Sequence, residues 1–115
     1  MSITNEEIVQ SCLGLLGRVE VRKRRGGKYE RVFLIAYQIW LLLQEEGNPI
    51  CQALENEYGT AVGKGGGANV GPAQRIGVAL EASDRIETYH LAVRHLSLPG
   101  IEPSGTSCGL FRVLE

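Results

Sequence analysis

Apolar residues recur three or four positions apart in four segments of the chain, which is the spacing of one buried helical face. The first segment begins at the capping-box sequence from Thr4 to Glu7 and is expected to end at Gly17, a residue suited to a left-handed helix cap. The second segment, from about Tyr29 to Glu46, is apolar most of the way round. It is therefore predicted to be a helix at the centre of the fold.

Glycine and proline mark the ends of the other two helices. The turn from Gly47 to Pro49 is expected to stop the central helix and to begin a short helix that ends at Gly59. Gly71 precedes a proline in the same way, so a fourth helix is predicted from Pro72 to Ala82.

Beyond Asp84 the pattern changes to alternation, which indicates strands. Tyr89, Leu91 and Val93 alternate with other residues, and the C-terminal stretch CGLFRVLE alternates again, so the two are expected to pair as a β-hairpin. A short strand is also expected around Val19 to Val21, where valines alternate with charges.

The order of these elements predicts a single, mainly helical α+β domain. A chain of 115 residues is long enough to form one domain with one core. The residues expected to be largely buried are Val32, Ile35, Ile39, Trp40, Leu43, Leu54, Ile76, Leu80, Leu91 and Phe111.

The glycine-rich stretch GTAVGKGGGANVGPAQRIG does not fit a nucleotide-binding loop. A P-loop needs four residues between its first glycine and the Gly-Lys pair, followed by Ser or Thr, whereas here three residues separate Gly59 from Gly63 and Gly65 follows Lys64. A dinucleotide loop must follow a strand, and the preceding residues predict a helix. We therefore expect the protein to bind no nucleotide and no other cofactor. The simpler interpretation is that this stretch is a flexible connection between two helices.

Charge is separated along a chain whose net charge is only −1. Seven basic residues against two glutamates lie between Arg18 and Arg31, whereas Val32 to Tyr58 contains four glutamates and no basic residue. A cluster such as VRKRRGGK can attract polyanions despite a near-neutral total, and the alternative is a solvated basic loop.

Candidate catalytic and metal-binding residues are few. The three cysteines are odd in number and far apart, which favours free thiols in a reducing compartment. Two reactive sites are conceivable: a Cys108–His90 nucleophilic pair across the hairpin, and a zinc site formed by the scattered cysteines. We favour the simpler interpretation that the thiols are buried apolar residues and the histidines lie on the surface. We expect no metal and no enzyme activity.

No membrane partner is expected, because the longest apolar run is too short to span a bilayer. The polar N-terminus does not fit a signal peptide, so a cytoplasmic location is predicted.

The element order from about Val32 to Leu114 resembles that of winged helix-turn-helix domains, although no motif of one subfamily is present. The resemblance implies that Pro72 to Ala82 is a recognition helix for double-stranded DNA and that the hairpin is the wing. Outward-pointing Gln74, Arg75 and Val78 would then face the major groove, where Gln pairs with adenine and Arg with guanine. Phosphate contacts are expected from these further residues: Lys64, Asn69, Arg22, Lys23, Arg24, Arg25 and Lys28.

Two features depart from that pattern. The connection from Gly59 to Gly71 exceeds the usual turn of about three or four residues between the two helices. The loop from Leu96 to Ser107 contains no Lys or Arg, and its apolar residues suggest contact with the core or with a partner.

Three functional hypotheses therefore remain open. The first is a small DNA-binding regulator, and the second is a winged-helix module for protein interaction or self-association without DNA binding. The third is an enzyme or small-ligand binder that the motifs do not reveal. The sequence does not specify the operator, the oligomeric state or whether the glycine-rich connection is functional.

Overall fold

The computed structural model describes residues 3–19, 32–59, 71–92 and 107–114, which form four helices and three strands. The helices are α1 (Asn5–Arg18), α2 (Ala36–Glu45), α3 (Ile50–Tyr58) and α4 (Pro72–Glu81). The strands are β1 (Leu34–Ile35), β2 (Ile86–Ala92) and β3 (Ser107–Val113). The α+β class is confirmed.

The strands form one antiparallel sheet in the order β1-β3-β2. The hairpin pairing of β2 with β3 is confirmed, with Thr88 opposite Phe111 and Ile86 opposite Val113. The predicted loop between the strands, from Leu96 to Ser107, falls almost entirely outside the described residues, as does Val93.

Glycines and capping side chains set several helix ends where the sequence predicts them. Thr4 and Glu7 form a capping box at the start of α1. Gly47 and Gly59 have φ angles of 71° and 85°, the left-handed conformation that glycine adopts without steric cost. Gly71 precedes the first residue of α4, Pro72, as expected.

Two predicted boundaries are wrong. Gly17 does not end α1, because the helix continues to Arg18 and the Val19 amide donates to the Leu15 carbonyl at 3.1 Å. The central helix begins at Ala36 rather than near Tyr29. The cause is β1, whose two residues pair with Phe111 and Leu110 of β3 and so exchange helical hydrogen bonds for sheet pairing.

The core lies between the helices and one face of the sheet, with α4 near its centre. α4 contacts α1, α2, α3 and both long strands. Nine of the ten predicted core residues are buried, and Trp40 is 0% exposed. Leu91 is the exception, since it is only partly buried against the core.

Two glycines make room for an aromatic ring where the hairpin packs against α4. The Phe111 ring is 1% exposed and lies over Gly109, where an added Cβ would stand 2.6 Å from the ring carbon Cε2. The same ring approaches Gly77 of α4, where a Cβ would meet Phe111 Cζ at 3.8 Å. The two glycines therefore provide the space in which the aromatic ring packs between the sheet and α4.

Among the described residues, no helix combines the length and the apolar character needed to cross a membrane.

Candidate nucleic-acid interface

Arg75 is held within the fold rather than presented to solvent. Its Nε donates to the Tyr58 hydroxyl at 3.0 Å, and its Nη2 donates to the Ile3 carbonyl at 3.4 Å. Its Nη1 is buried with no hydrogen-bond partner among the described residues. The prediction that Arg75 points outward is therefore wrong, because its polar partners lie on α3 and at the N-terminal end of the described chain.

Gln74 is also engaged at the start of α4. Its Oε1 accepts a 3.0 Å hydrogen bond from the Gly71 amide, which supplies a side-chain cap where Gly71 has none. Gln74 is predicted to point outward, but its side chain is half-buried. Of the three residues expected to face a groove, Val78 alone is well exposed, at 53%.

The exposed part of α4 consequently carries little that attracts DNA. Glu81 ends the helix and is exposed, and its Oε1 lies 2.5 Å from Nε2 of His90. A valine and a carboxylate do not reproduce the bidentate pairing that Arg or Gln makes with base edges. Direct base reading by α4 is not supported by this geometry.

The other predicted contacts fall outside the described residues: Arg22, Lys23, Arg24, Arg25, Lys28, Lys64 and Asn69. In the chain, residues 20–31 lie between Val19, which directly follows α1, and Val32, which precedes the first residue of β1 by two positions.

The described part of the chain is acidic. It contains nine Asp and Glu residues, no lysine and four arginines. Arg18 pairs with Glu46 at 2.6 Å and Arg85 with Glu6 at 2.8 Å, while Arg112 pairs with Glu87 at 2.9 Å. With Arg75 bound internally, each described arginine has a partner within the fold.

Hydrogen bonding shifts the pKa of one residue in each of two of these ion pairs, Arg18 and Glu6. The hydrogen bonds that Arg18 donates to Glu46 raise the pKa of Arg18 above its ordinary value. At Glu6 the hydrogen bond from Gln10, followed by that from Arg85, lowers the pKa of the carboxyl group. Both charged forms are thereby favoured.

An aromatic cluster lies on the face of the sheet that points away from Phe111. Arg112 stands opposite Glu87 in the β2–β3 register, and its guanidinium carbon lies 4.2 Å from the Phe33 ring centroid. The Phe33 and Tyr89 rings meet edge to face at 5.8 Å between centroids, with an interplanar angle of 76°. Tyr89 is 57% exposed. We call Phe33, Tyr89 and Arg112 the aromatic face.

Sequence reasoning missed this cluster because it placed Phe33 in a helix. Period-two alternation does put Tyr89 and Arg112 on a common face of the hairpin, so part of the cluster could have been found from the pattern. The pairing of β1 with β3 was the missing information.

A shallow groove of about 240 Å³ separates α4 from the hairpin. Its walls include Tyr37, Val78, His90 and Phe111. Cys108 also lines the groove. His90 contacts Glu81 rather than Cys108, and burial raises the pKa of the Cys108 thiol, so the two residues do not form an activated nucleophile.

The cysteines behave as small apolar residues. All three are free and buried. Burial raises the pKa of Cys12 to about 12 and also raises that of Cys108, which keeps both thiols protonated and unreactive near neutral pH. Among the described residues no group of His, Cys, Asp and Glu could hold a metal ion.

Comparison with protein-family models, curated proteins and solved structures finds no match to this chain.

Proposed function

We propose that the protein binds DNA through the phosphates, with the basic residues between Arg22 and Arg31 as the contacting groups. The separation of charge carries this proposal. The described arginines are engaged within the fold, and six basic residues against one glutamate occupy 22–31. Such a basic segment on an acidic body is typical of arms that bind nucleic acid.

The winged-helix architecture is part of the same proposal. Four helices followed by an antiparallel hairpin support it, with α4 in the position of the recognition helix. Since Arg75 and Gln74 are bound within the fold, we propose that α4 serves as a core helix and that binding is largely independent of sequence. A cytoplasmic site of action is supported by the three free thiols.

Two double variants with equal charge loss test this proposal. Arg24→Gln/Arg25→Gln removes two cations of the basic segment, whereas Arg18→Gln/Arg85→Gln removes two that are paired with Glu46 and Glu6. Fluorescence anisotropy with a labelled duplex at about 50 mM salt should show weaker binding for the first variant and near-normal binding for the second. Equal losses in both would indicate that only total charge matters and would contradict the assigned segment.

A protein-interaction module is the second candidate, because Val78 is 53% exposed beside the groove between α4 and the hairpin. Under this alternative Val78→Glu should reduce self-association or partner binding, while leaving unfolding unchanged. Sedimentation velocity of the unmodified protein and the variant separates this outcome from DNA binding. A concentration-dependent dimer lost in Val78→Glu, with no duplex bound, would favour the second candidate.

A further inference from the structure

We propose that Cys12 and Cys51 form a reversible disulfide that links α1 to α3 when the protein is exposed to a peroxide. The two residues are 39 positions apart in the chain, and both are free thiols in the structure. The inference goes beyond the proposed function and does not depend on it, because it concerns only buried residues of two packed helices.

Two contacts fix the direction in which α3 runs along α1. At the first contact the amide of Ile3, two residues before α1, donates to Glu57 in the last turn of α3 at 3.3 Å. At the second contact Arg18, the last residue of α1, pairs at 2.6 Å with Glu46, four residues before α3. The start of α1 therefore lies beside the end of α3, and the two helices run antiparallel.

The same two contacts place Cys12 opposite Cys51. On one side there are fifteen positions from Ile3 to Arg18, and Cys12 stands at the ninth. On the other side there are eleven positions from the first contact to the second, and Cys51 stands at the sixth. The two thiols therefore lie at nearly the same level along the pair of helices, just past its middle.

Both side chains are directed into the packed interior. Cys12 is 0% exposed and follows Ile8, which is also 0% exposed, by about one helical turn. The buried residues of α3 are Cys51 and Leu54, so these two form the face that α3 turns toward α1, α2 and α4. Two small thiols on the facing sides of antiparallel helices are the arrangement that a disulfide between helices requires.

The titration of Cys12 indicates the same proximity. Burial is the larger cause, and the charge of a Cys51 thiolate the second, that together raise the pKa of Cys12 to about 12. Repulsion between two thiolates falls with the distance between them. The influence of Cys51 on Cys12 therefore agrees with the level at which the helix contacts place the two residues.

Hydrogen peroxide supplies the oxidant. The Cys51 thiolate attacks one peroxide oxygen, the O–O bond breaks, and the departing hydroxide takes up the proton that Cys51 released, which leaves a sulfenic acid. The Cys12 sulfur then attacks the Cys51 sulfur, the S–O bond breaks, and the hydroxyl leaves as water with the Cys12 proton. Two thiols and one peroxide thus give one disulfide and two waters, and an excess of a small thiol reverses the link by exchange.

The order of the two steps follows from exposure. Cys51 is 8% exposed and Cys12 is 0% exposed, so Cys51 is the thiol that peroxide reaches first. Burial, followed by the charge of Glu55, raises the pKa of Cys51, so its oxidation is slower than that of an exposed thiol. Once Cys51 is oxidised, its neighbour is already in place, and the second step gains from that proximity.

The test treats the full chain with excess hydrogen peroxide and counts free thiols after unfolding in denaturant. The count should fall from three to one, and dithiothreitol should restore it. Peptide mapping without reduction should find the peptide of Cys12 joined to that of Cys51. In the matched control Cys108→Ser, which removes the thiol of β3, the same link should form and no free thiol should remain.

A second measurement follows the link in the folded protein. The treated protein should unfold at a higher urea concentration than the untreated protein, because the disulfide restricts the unfolded chain. Dithiothreitol should abolish this increase. Each variant is compared with its own untreated form, so a loss of stability caused by the substitution itself does not affect the result. Cys51→Ser should show no increase.

Several results would overturn the inference. They are a disulfide that includes Cys108, a link between the Cys51 residues of two chains, oxidation of Cys51 beyond the sulfenic acid with Cys12 still free, and three free thiols after treatment. Mapping of the unmodified protein decides among them without any variant. Because no nucleic acid enters these experiments, their outcome is separate from that of the proposed function.

Discussion

The Arg75 guanidinium donates a 3.0 Å hydrogen bond to the Tyr58 hydroxyl, which joins the last residue of α3 to the first turn of α4. The two residues flank the glycine-rich connection, so their bond ties its ends together. A second bond from Arg75 to the Ile3 carbonyl adds the start of the chain to the same junction. Arg75 thus connects three parts of the fold.

Because of this junction, replacing Arg75 should lower the stability of the protein. The hypothesis that Arg75 reads a DNA base predicts instead a change in sequence specificity. Arg75→Met removes both hydrogen bonds and should lower the free energy of unfolding by about 1.5–3 kcal/mol, the range for hydrogen bonds that involve a charged group. Tyr58→Phe removes one bond to the same guanidinium and should lower the free energy of unfolding by about 1.5 kcal/mol, the lower end of that range. Urea denaturation followed by Trp40 fluorescence measures both. Unchanged midpoints in both variants would show that the junction contributes nothing.

Gly109 should be intolerant of even one methyl group. An alanine Cβ there would stand 2.6 Å from Cε2 of Phe111, whose buried ring has little room to move. Gly109→Ala should therefore destabilise the protein by about 1–3 kcal/mol, as overpacking does. Thermal unfolding is the measurement.

The matched control for that variant is Gly17→Ala. Gly17 lies within α1, and an added Cβ there would meet none of the described atoms within 4 Å. Alanine is the better helix former, so the control should stabilise the protein by about 0.5–1 kcal/mol. Similar losses in both variants would mean that the Gly109–Phe111 contact is not the cause.

The hydrogen bonds that Glu6 accepts from Gln10 and Arg85 predict a pH dependence of stability. Because the pKa of Glu6 is lowered in the folded protein, its contribution to stability is present above the ordinary value of 4.5 and is lost as the pH falls through the folded-state pKa. The difference in unfolding free energy between the unmodified protein and Glu6→Gln should therefore exist near neutral pH and disappear in acid. Urea titrations at a series of pH values test this, and a difference that grows in acid would contradict it.

Local features of the fold could be predicted from the sequence because their causes are local. Gly47 and Gly59 adopt positive φ angles as their helix-ending positions indicate, and alternation identifies the hairpin strands. The role of Arg75 could not be predicted in this way. Its partner Ile3 lies 72 residues away, and a helical pattern reports which face a residue occupies but not what a long side chain reaches.

Strand β1 and the aromatic face also depend on contacts between residues that are far apart in the chain, so the sequence pattern did not predict them. An apolar run before a helix fits either state, and only pairing with Phe111 and Leu110 converts Leu34 and Ile35 to a strand. That pairing brings Phe33 beside Arg112, although 79 residues separate them in the chain.

The salt dependence of nucleic-acid binding tests the central claim most directly. The affinity of the unmodified protein should fall linearly with salt on logarithmic axes, since each phosphate contact releases counterions. A variant with Arg22, Lys23, Arg24 and Arg25 replaced by Gln should bind duplex DNA of all sequences more weakly, with a slope shallower by up to about 3.6. An unchanged slope, or no binding of the unmodified protein to duplex or single strand at about 50 mM salt, would contradict the account.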